Sequence, residues 1–108
     1  MRRGELWTGS GGLYSGRPRP VLIIQDDLYA TDYSVIVLPV TSVLRSAGLA
    51  RYRLSPHPVS GLRQDSDVQI DKITTLGREH LTERIGEVDQ RDLREIERLI
   101  LPLLGMGR

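Results

Sequence analysis

Two arginines set between prolines, Gly16-Arg17-Pro18-Arg19-Pro20, run directly into the apolar stretch Val21-Leu22-Ile23-Ile24. Each proline fixes its own φ and biases the residue before it toward extended backbone, so Arg17 and Arg19 are held at the lip of a buried strand. A guanidinium on so rigid a base is a preorganised donor fork for phosphate, although exposed charge beside a strand is also the commonest place for arginine. A second apolar run, Tyr33-Ser34-Val35-Ile36-Val37-Leu38-Pro39-Val40-Thr41-Ser42, follows after eight polar and turn-forming residues. The two runs read as an antiparallel hairpin. In such a pair the start of one strand lies beside the end of the other, which brings Arg19 and Thr41 to the same end of the sheet. A guanidinium and a hydroxyl together can hold a phosphate and donate to one of its oxygens.

Other candidates are weaker. His57, in the loop Ser55-Pro56-His57-Pro58-Val59-Ser60-Gly61, is placed for acid-base work, though a solvated histidine without a role fits the same pattern. Asp65, Asp67 and Asp71 are carboxylates without a recognisable metal-ligand spacing, so no metal site is expected. Asp71 stands as a candidate for catalysis or ligand contact. The glycine-rich stretch 9–16 does not match a phosphate-binding loop, because no Gly-Lys-Ser/Thr and helix follow a strand there.

The elements that must position these residues are short. Gly4 to Thr8 reads as a first strand with Trp7 in the core. Leu49 to Leu54 is a weakly patterned strand. Val68 to Leu76 is a longer strand whose buried positions change parity between Ile70 and Ile73, which predicts a bulge or corner. Arg78 to Leu81 reads as a helical turn, and Leu81 to Val88 as a last strand. The carboxy-terminal segment is a helix: Asp89 is its N-cap, Val88 and Leu93 form a staple, and Leu93, Ile96, Leu99, Ile100, Leu103 and Leu104 line one apolar face. Pro102 must end or kink it, and Gly105 terminates it.

At 108 residues the chain is read as one domain spanning 1–108. The absence of cysteine excludes a disulfide framework, a thiolate zinc site and a thiol nucleophile. No secretory signal or membrane-length apolar run is present, so a soluble, cytoplasmic protein without a membrane partner is expected. Net charge is only +1, but residues 1–63 carry +4 and residues 64–108 carry −3, so the basic half holds the hairpin. Fourteen of fifteen basic residues are arginine, which suits phosphate recognition and is equally what GC-rich coding produces.

Taken in order, Gly4-Glu5-Leu6-Trp7, Arg19-Pro20-Val21-Leu22-Ile23-Ile24-Gln25, Val40-Thr41-Ser42, Gly61-Leu62-Arg63-Gln64-Asp65-Ser66, Thr75-Leu76, Ile85-Gly86 and the leucine-rich helix resemble the MazF/PemK family of toxin endoribonucleases. The resemblance covers nearly the full length. It implies an α+β fold, a small SH3-like β-barrel with a C-terminal amphipathic α-helix, acting as a homodimer. It further implies cofactor-free, metal-independent cutting of single-stranded RNA to 2′,3′-cyclic phosphate and 5′-hydroxyl ends, and restraint by a cognate antitoxin whose acidic segment wraps the RNA groove. On this resemblance Arg19 and Thr41 are the catalytic pair, with Asp71 as a third catalytic candidate. Arg17, Ser42, Arg45 and His57 are expected along the RNA-binding surface. The chain departs from the family at Thr8-Gly9, where an acid is usual, and at Asp67, where an apolar strand residue is usual. Two other readings stay open: a CcdB-like toxin that binds gyrase without catalysis, and a catalytically silent RNA-binding barrel.

Overall fold

A computed structural model describes residues 1–10, 17–30, 33–45 and 50–107. Of the glycine loop expected at 9–16, Gly9 belongs to the first strand, and residues 11–16 lie outside the described set, as do the turn residues Thr31 and Asp32 and residues 46–49 of the connection after Thr41.

Among the described residues, seven strands and one α-helix make up the α+β fold: β1 (Glu5–Gly9), β2 (Arg19–Ile23), β3 (Ser34–Thr41), β4 (Arg51–Leu54), β5 (Ser66–Gln69), β6 (Thr74–Gly77), β7 (Leu81–Glu87) and α1 (Gln90–Leu103). Hydrogen-bonded neighbours run β4-β5-β3-β2-β1-β7, with β6 also on β3. The expected barrel is therefore not closed: among the described residues the path begins at β4 and ends at β7, and the two do not pair.

β3 is the shared strand. Its first half pairs with β6 from Ser34 opposite Gly77 to Val37 opposite Thr74, and its end pairs with β5, Val40 opposite Val68 and Thr41 opposite Asp67. Serving both requires the chain between β5 and β6 to turn. It does so at a 3-10 turn, Ile70–Lys72, which is the corner foreshadowed by the change of buried parity. Pro39, which has no N–H to donate, falls between the two partner stretches, where neither β5 nor β6 asks a bond of it.

Alternation sends side chains to two cores. Leu6, Leu22, Leu38, Val40, Val68 and Ile70 pack under the helix with Val88, Leu93 and Ile96, while Val21, Ile23, Val35, Val37, Leu76 and Leu81 form a second cluster. Trp7 is half-buried against the second cluster, and its ring N–H donates to Glu5 Oε1 at 3.1 Å. Burial alone would raise the Glu5 pKa, but hydrogen bonds from the Arg2 N–H, Arg84 and Trp7 outweigh it and hold the group at about 2.

The helix starts as its sequence dictates: the Asp89 side chain accepts from the Asp92 N–H at 2.8 Å. Val88 and Leu93 are both buried in the first cluster, as a staple requires. Tyr52 donates to Asp92 Oδ1 at 2.6 Å, tying β4 to the helix; burial and that bond push the phenol up to about 12. Pro102 is accommodated in the last turn, and Gly105 follows at φ +76. One expectation fails: Leu103 and Leu104 are exposed, and the buried face of the helix runs only through Leu93 and Ile96 with Leu99 and Ile100 packed beside them. No helix among the described residues is long and apolar enough to cross a membrane.

Gly86 marks the tightest crossing. A Cβ there would strike the backbone of Val59 and Ser60, while Gly61, at φ +75, faces Ile85 on the same strand. Here the 57–62 loop crosses β7 backbone to backbone. Gly86→Ala is expected to lower stability by about 2–3 kcal/mol, the usual cost of forcing extra volume into a packed site. Urea unfolding of the variant beside wild type measures it.

Candidate active site

Arg19 opens β2 and Thr41 closes β3. The β2–β3 register, Val21 opposite Pro39, Leu22 opposite Leu38 and Ile23 opposite Val37, continued by two residues sets Arg19 across from Thr41. Both line one cavity of about 610 Å³, whose wall also includes Val43, Arg45, Arg51, Gln69, Lys72, Ile73 and Thr74. The pairing inferred from strand order is thus realised in space.

Among the described residues the wall holds four cations, Arg19, Arg45, Arg51 and Lys72, and no carboxylate. Among the described residues the side chains of Arg19, Arg45 and Lys72 form no ion pair. Clustered cations with no internal counter-charge raise the local concentration of a polyanion. Thr41 is buried. Its Oγ1 accepts the Val43 N–H at 3.1 Å, and among the described residues nothing accepts its own proton, which leaves the hydroxyl able to donate into the cavity.

Other sequence candidates fall differently. Arg17 and Ser42 are exposed and adjoin the pair along the chain without lining the cavity. Asp71 is exposed on the 3-10 corner, beside Lys72 and Ile73 of the wall but not part of it. His57 is not brought to this site. It borders a separate cavity of about 380 Å³ with Tyr52 and Asp92, and its Nδ1 accepts the Val59 N–H at 3.1 Å.

Residues that the sequence reading passed over complete the wall. Arg51 and Gln69 face each other across β4 and β5, as do Arg53 and Asp67. The signal was there in the parity of the two stretches. Arg51-Tyr52-Arg53-Leu54 and Asp67-Val68-Gln69-Ile70 both alternate polar with apolar residues, so two such strands paired must bring arginines onto Asp and Gln.

Asp67 is buried, with its side chain only 2% exposed. Arg53 Nε donates to Oδ1 at 2.6 Å, Arg51 to Oδ2 at 3.0 Å, and the Arg45 N–H to Oδ2 at 3.4 Å. Burial by itself would raise its pKa, but the hydrogen bonds from Arg53, Arg51 and the Arg45 backbone prevail and hold it below the ordinary carboxylate value.

An open sheet capped by one helix, with a cation-lined cavity where one strand opens on Arg19 and its neighbour closes on Thr41, defines a small α+β protein with a cationic sheet end. The chain belongs to the family described as PemK-like, MazF-like toxins of type II toxin-antitoxin systems, whose profile matches residues 2–104. It is 44% identical over 108 residues to "Probable endoribonuclease MazF" of Mycolicibacterium smegmatis, covering 99% of each chain. It is 33% identical over 104 residues to "Endoribonuclease MazF6" of Mycobacterium tuberculosis, covering 91% of each. Among solved structures, an endoribonuclease in complex with its cognate antitoxin from a mycobacterial species superposes with a TM-score of 0.81 at 24% identity, covering 100% of this chain and 98% of that one. The MazE-MazF complex (Form-III) from Deinococcus radiodurans gives 0.77 at 26%, covering 99% and 98%.

The depressed Asp67 pKa fixes a sign. An unfolded chain takes up this proton near 3.8, the folded one only at lower pH, so the stabilisation is complete above that value and is lost as pH falls below it through the folded group's lower pKa. Asp67→Asn is expected to cost about 2 kcal/mol at neutral pH, less than a fully buried pair because the Arg53 limb is solvent-screened. Its stability should also fall less steeply on acidification than that of wild type, the remaining slope coming from groups such as Glu5 and the helix cap Asp89, whose pKa values are also lowered; urea titrations across the acid range check both.

Proposed function

We propose that the chain is a sequence-specific, metal-independent endoribonuclease toxin that cleaves single-stranded RNA by transesterification, with Arg19 and Thr41 as its catalytic pair. The observation that carries this reading is the cavity those two residues share, walled among the described residues by four cations and no acid. Family membership and the names of the relatives at 44% and 33% identity support it.

In this reading the ribose 2′-oxygen attacks the adjacent phosphorus and gives up its proton. The bond from phosphorus to the 5′-oxygen breaks, and that oxygen takes up a proton. The products are a 2′,3′-cyclic phosphate and a free 5′-hydroxyl. Negative charge builds on the non-bridging oxygens as the phosphorus becomes five-coordinate, and a fixed donor fork at Arg19 stabilises it more in that state than in the substrate. The Thr41 hydroxyl donates to one of the same oxygens. Arginine stays protonated in proteins, so Arg19 acts as an electrostatic stabiliser rather than a base. Arg17, Ser42 and Arg45 extend the contact to flanking RNA. Asp71, beside the wall, contacts the RNA from the corner rather than reacting with it. His57, which borders a different cavity, has no part in the chemistry of this reading.

The protein acts as a homodimer of single 1–108 domains in the cytoplasm, and needs no cofactor. Its restraint is an antitoxin whose acidic, disordered segment occupies the same cation-lined groove as RNA. The mycobacterial endoribonuclease solved with its cognate antitoxin shares this fold over nearly the whole chain, as does the MazE-MazF complex, which supports that partner.

Purified protein incubated with long single-stranded RNA in EDTA is expected to yield fragments with cyclic-phosphate and 5′-hydroxyl ends. Arg19→Ala and Thr41→Ala should each lower kcat by about a hundredfold or more, the usual cost of losing a transition-state donor. Asp71→Ala should raise KM while leaving kcat near wild type. RNA left intact by wild type, or cut equally well by both variants of the pair, overturns the reading.

A further inference from the structure

The row of residues that begins with Arg19 and Thr41 does not stop there. Thr41 stands opposite Asp67 on β5, and Asp67 stands opposite Arg53 on β4, so four strands contribute one residue each to a continuous row. A bare carboxylate beside Thr41 would repel phosphate. Here it is overmatched: two guanidinium groups share its one charge, leaving the trio with a net +1.

Arg51 is the member of this trio that reaches the cavity. One terminal nitrogen donates to both Asp67 Oδ2 and the Val43 carbonyl at 3.0 Å, and the other approaches Gln69 Oε1 at 3.5 Å. Its side chain is 16% exposed, so few rotamers are open to it. Among the described residues Nε and one hydrogen of the second terminal nitrogen are left without acceptors. The group is thus fixed on one side and donor-rich on the other, which is the arrangement that recognises a phosphate with little ordering cost.

Asp67 holds more than the side chain. Its Oδ2 also takes the Arg45 N–H, and Arg51 grips the Val43 carbonyl, so the segment leaving Thr41 is tied to the same carboxylate.

We propose that Arg51 is a further RNA-binding residue of this site, contacting a backbone phosphate that flanks the scissile one, and that Asp67 is the positioning residue that sets its guanidinium. This rests on the endoribonuclease reading for its substrate, but not for its measurement. A buried carboxylate that acted on RNA through charge alone would weaken binding, and its removal would tighten it. One that acts by holding Arg51 does the opposite.

The probe is a short, fully 2′-O-methylated single-stranded RNA of mixed sequence, which can be bound but not cut, titrated at several salt concentrations beside cleavage kinetics on long RNA. Arg51→Gln is expected to weaken binding about tenfold and to reduce the salt slope by about 0.7, the loss of one phosphate contact on a single strand. KM should rise with kcat near wild type. Arg51→Lys, which keeps the charge without the fork, should retain the slope and recover only part of the affinity. Asp67→Asn should weaken binding although it removes a negative charge. Wild-type affinity and slope in Arg51→Gln, or tighter binding in a folded Asp67→Asn, overturns the proposal. A wild-type protein that binds this RNA with an Arg51-dependent slope yet cuts none overturns the endoribonuclease reading and leaves the phosphate contact standing. Wild type that does not bind RNA overturns both.

Discussion

β3 has eight residues and three strand partners, and that shortage governs the molecule. A strand has two edges. One is taken by β2, so β5 and β6 must divide the other, and a chain that serves both must turn between them. The 3-10 turn at Ile70–Lys72 is that bend. It buries Ile70 in the core under the helix and turns Lys72 to the cavity, so one local requirement closes the core and furnishes the wall. The proline in the middle of β3 is tolerated because it sits where the division leaves no partner.

Antiparallel pairing then does the positioning. Residues in register across a sheet share a face and lie within reach of one another. Leu6, Leu22 and Leu38 make one such row beneath the helix, and Trp7, Val21 and Pro39 the next, on the opposite face. Continued to the sheet end, the second face carries Arg19, Thr41, Asp67 and Arg53. A site built this way inherits the stiffness of the ladder, which suits stabilisation of charge by fixed donors.

Electrostatics at this end is a matter of unequal counts. One buried carboxylate meets two guanidinium groups, and the remaining cations of the wall have no acid among them. A buried carboxylate without partners is costly; Arg53, opposite Asp67, and Arg51, one diagonal away on the same strand, supply them.

The sequence by itself determined every feature that depends on near neighbours or simple strand order. The helix and its Asp89 cap, the Val88–Leu93 staple, the corner between Ile70 and Ile73, and the meeting of Arg19 with Thr41 all follow from periodicity, capping chemistry and antiparallel geometry, which act over a few residues or one hairpin. Tertiary structure decided the rest. The pairing of β4 with β5 joined Arg51, Arg53 and Asp67 across 14 and 16 residues of chain, and no local pattern states which strands become neighbours. The sheet stayed open rather than closing into a barrel, Leu103 and Leu104 were left uncovered, and His57 went to another cavity. Each is a question of where a distant element stops or lies, and only the packed whole answers it.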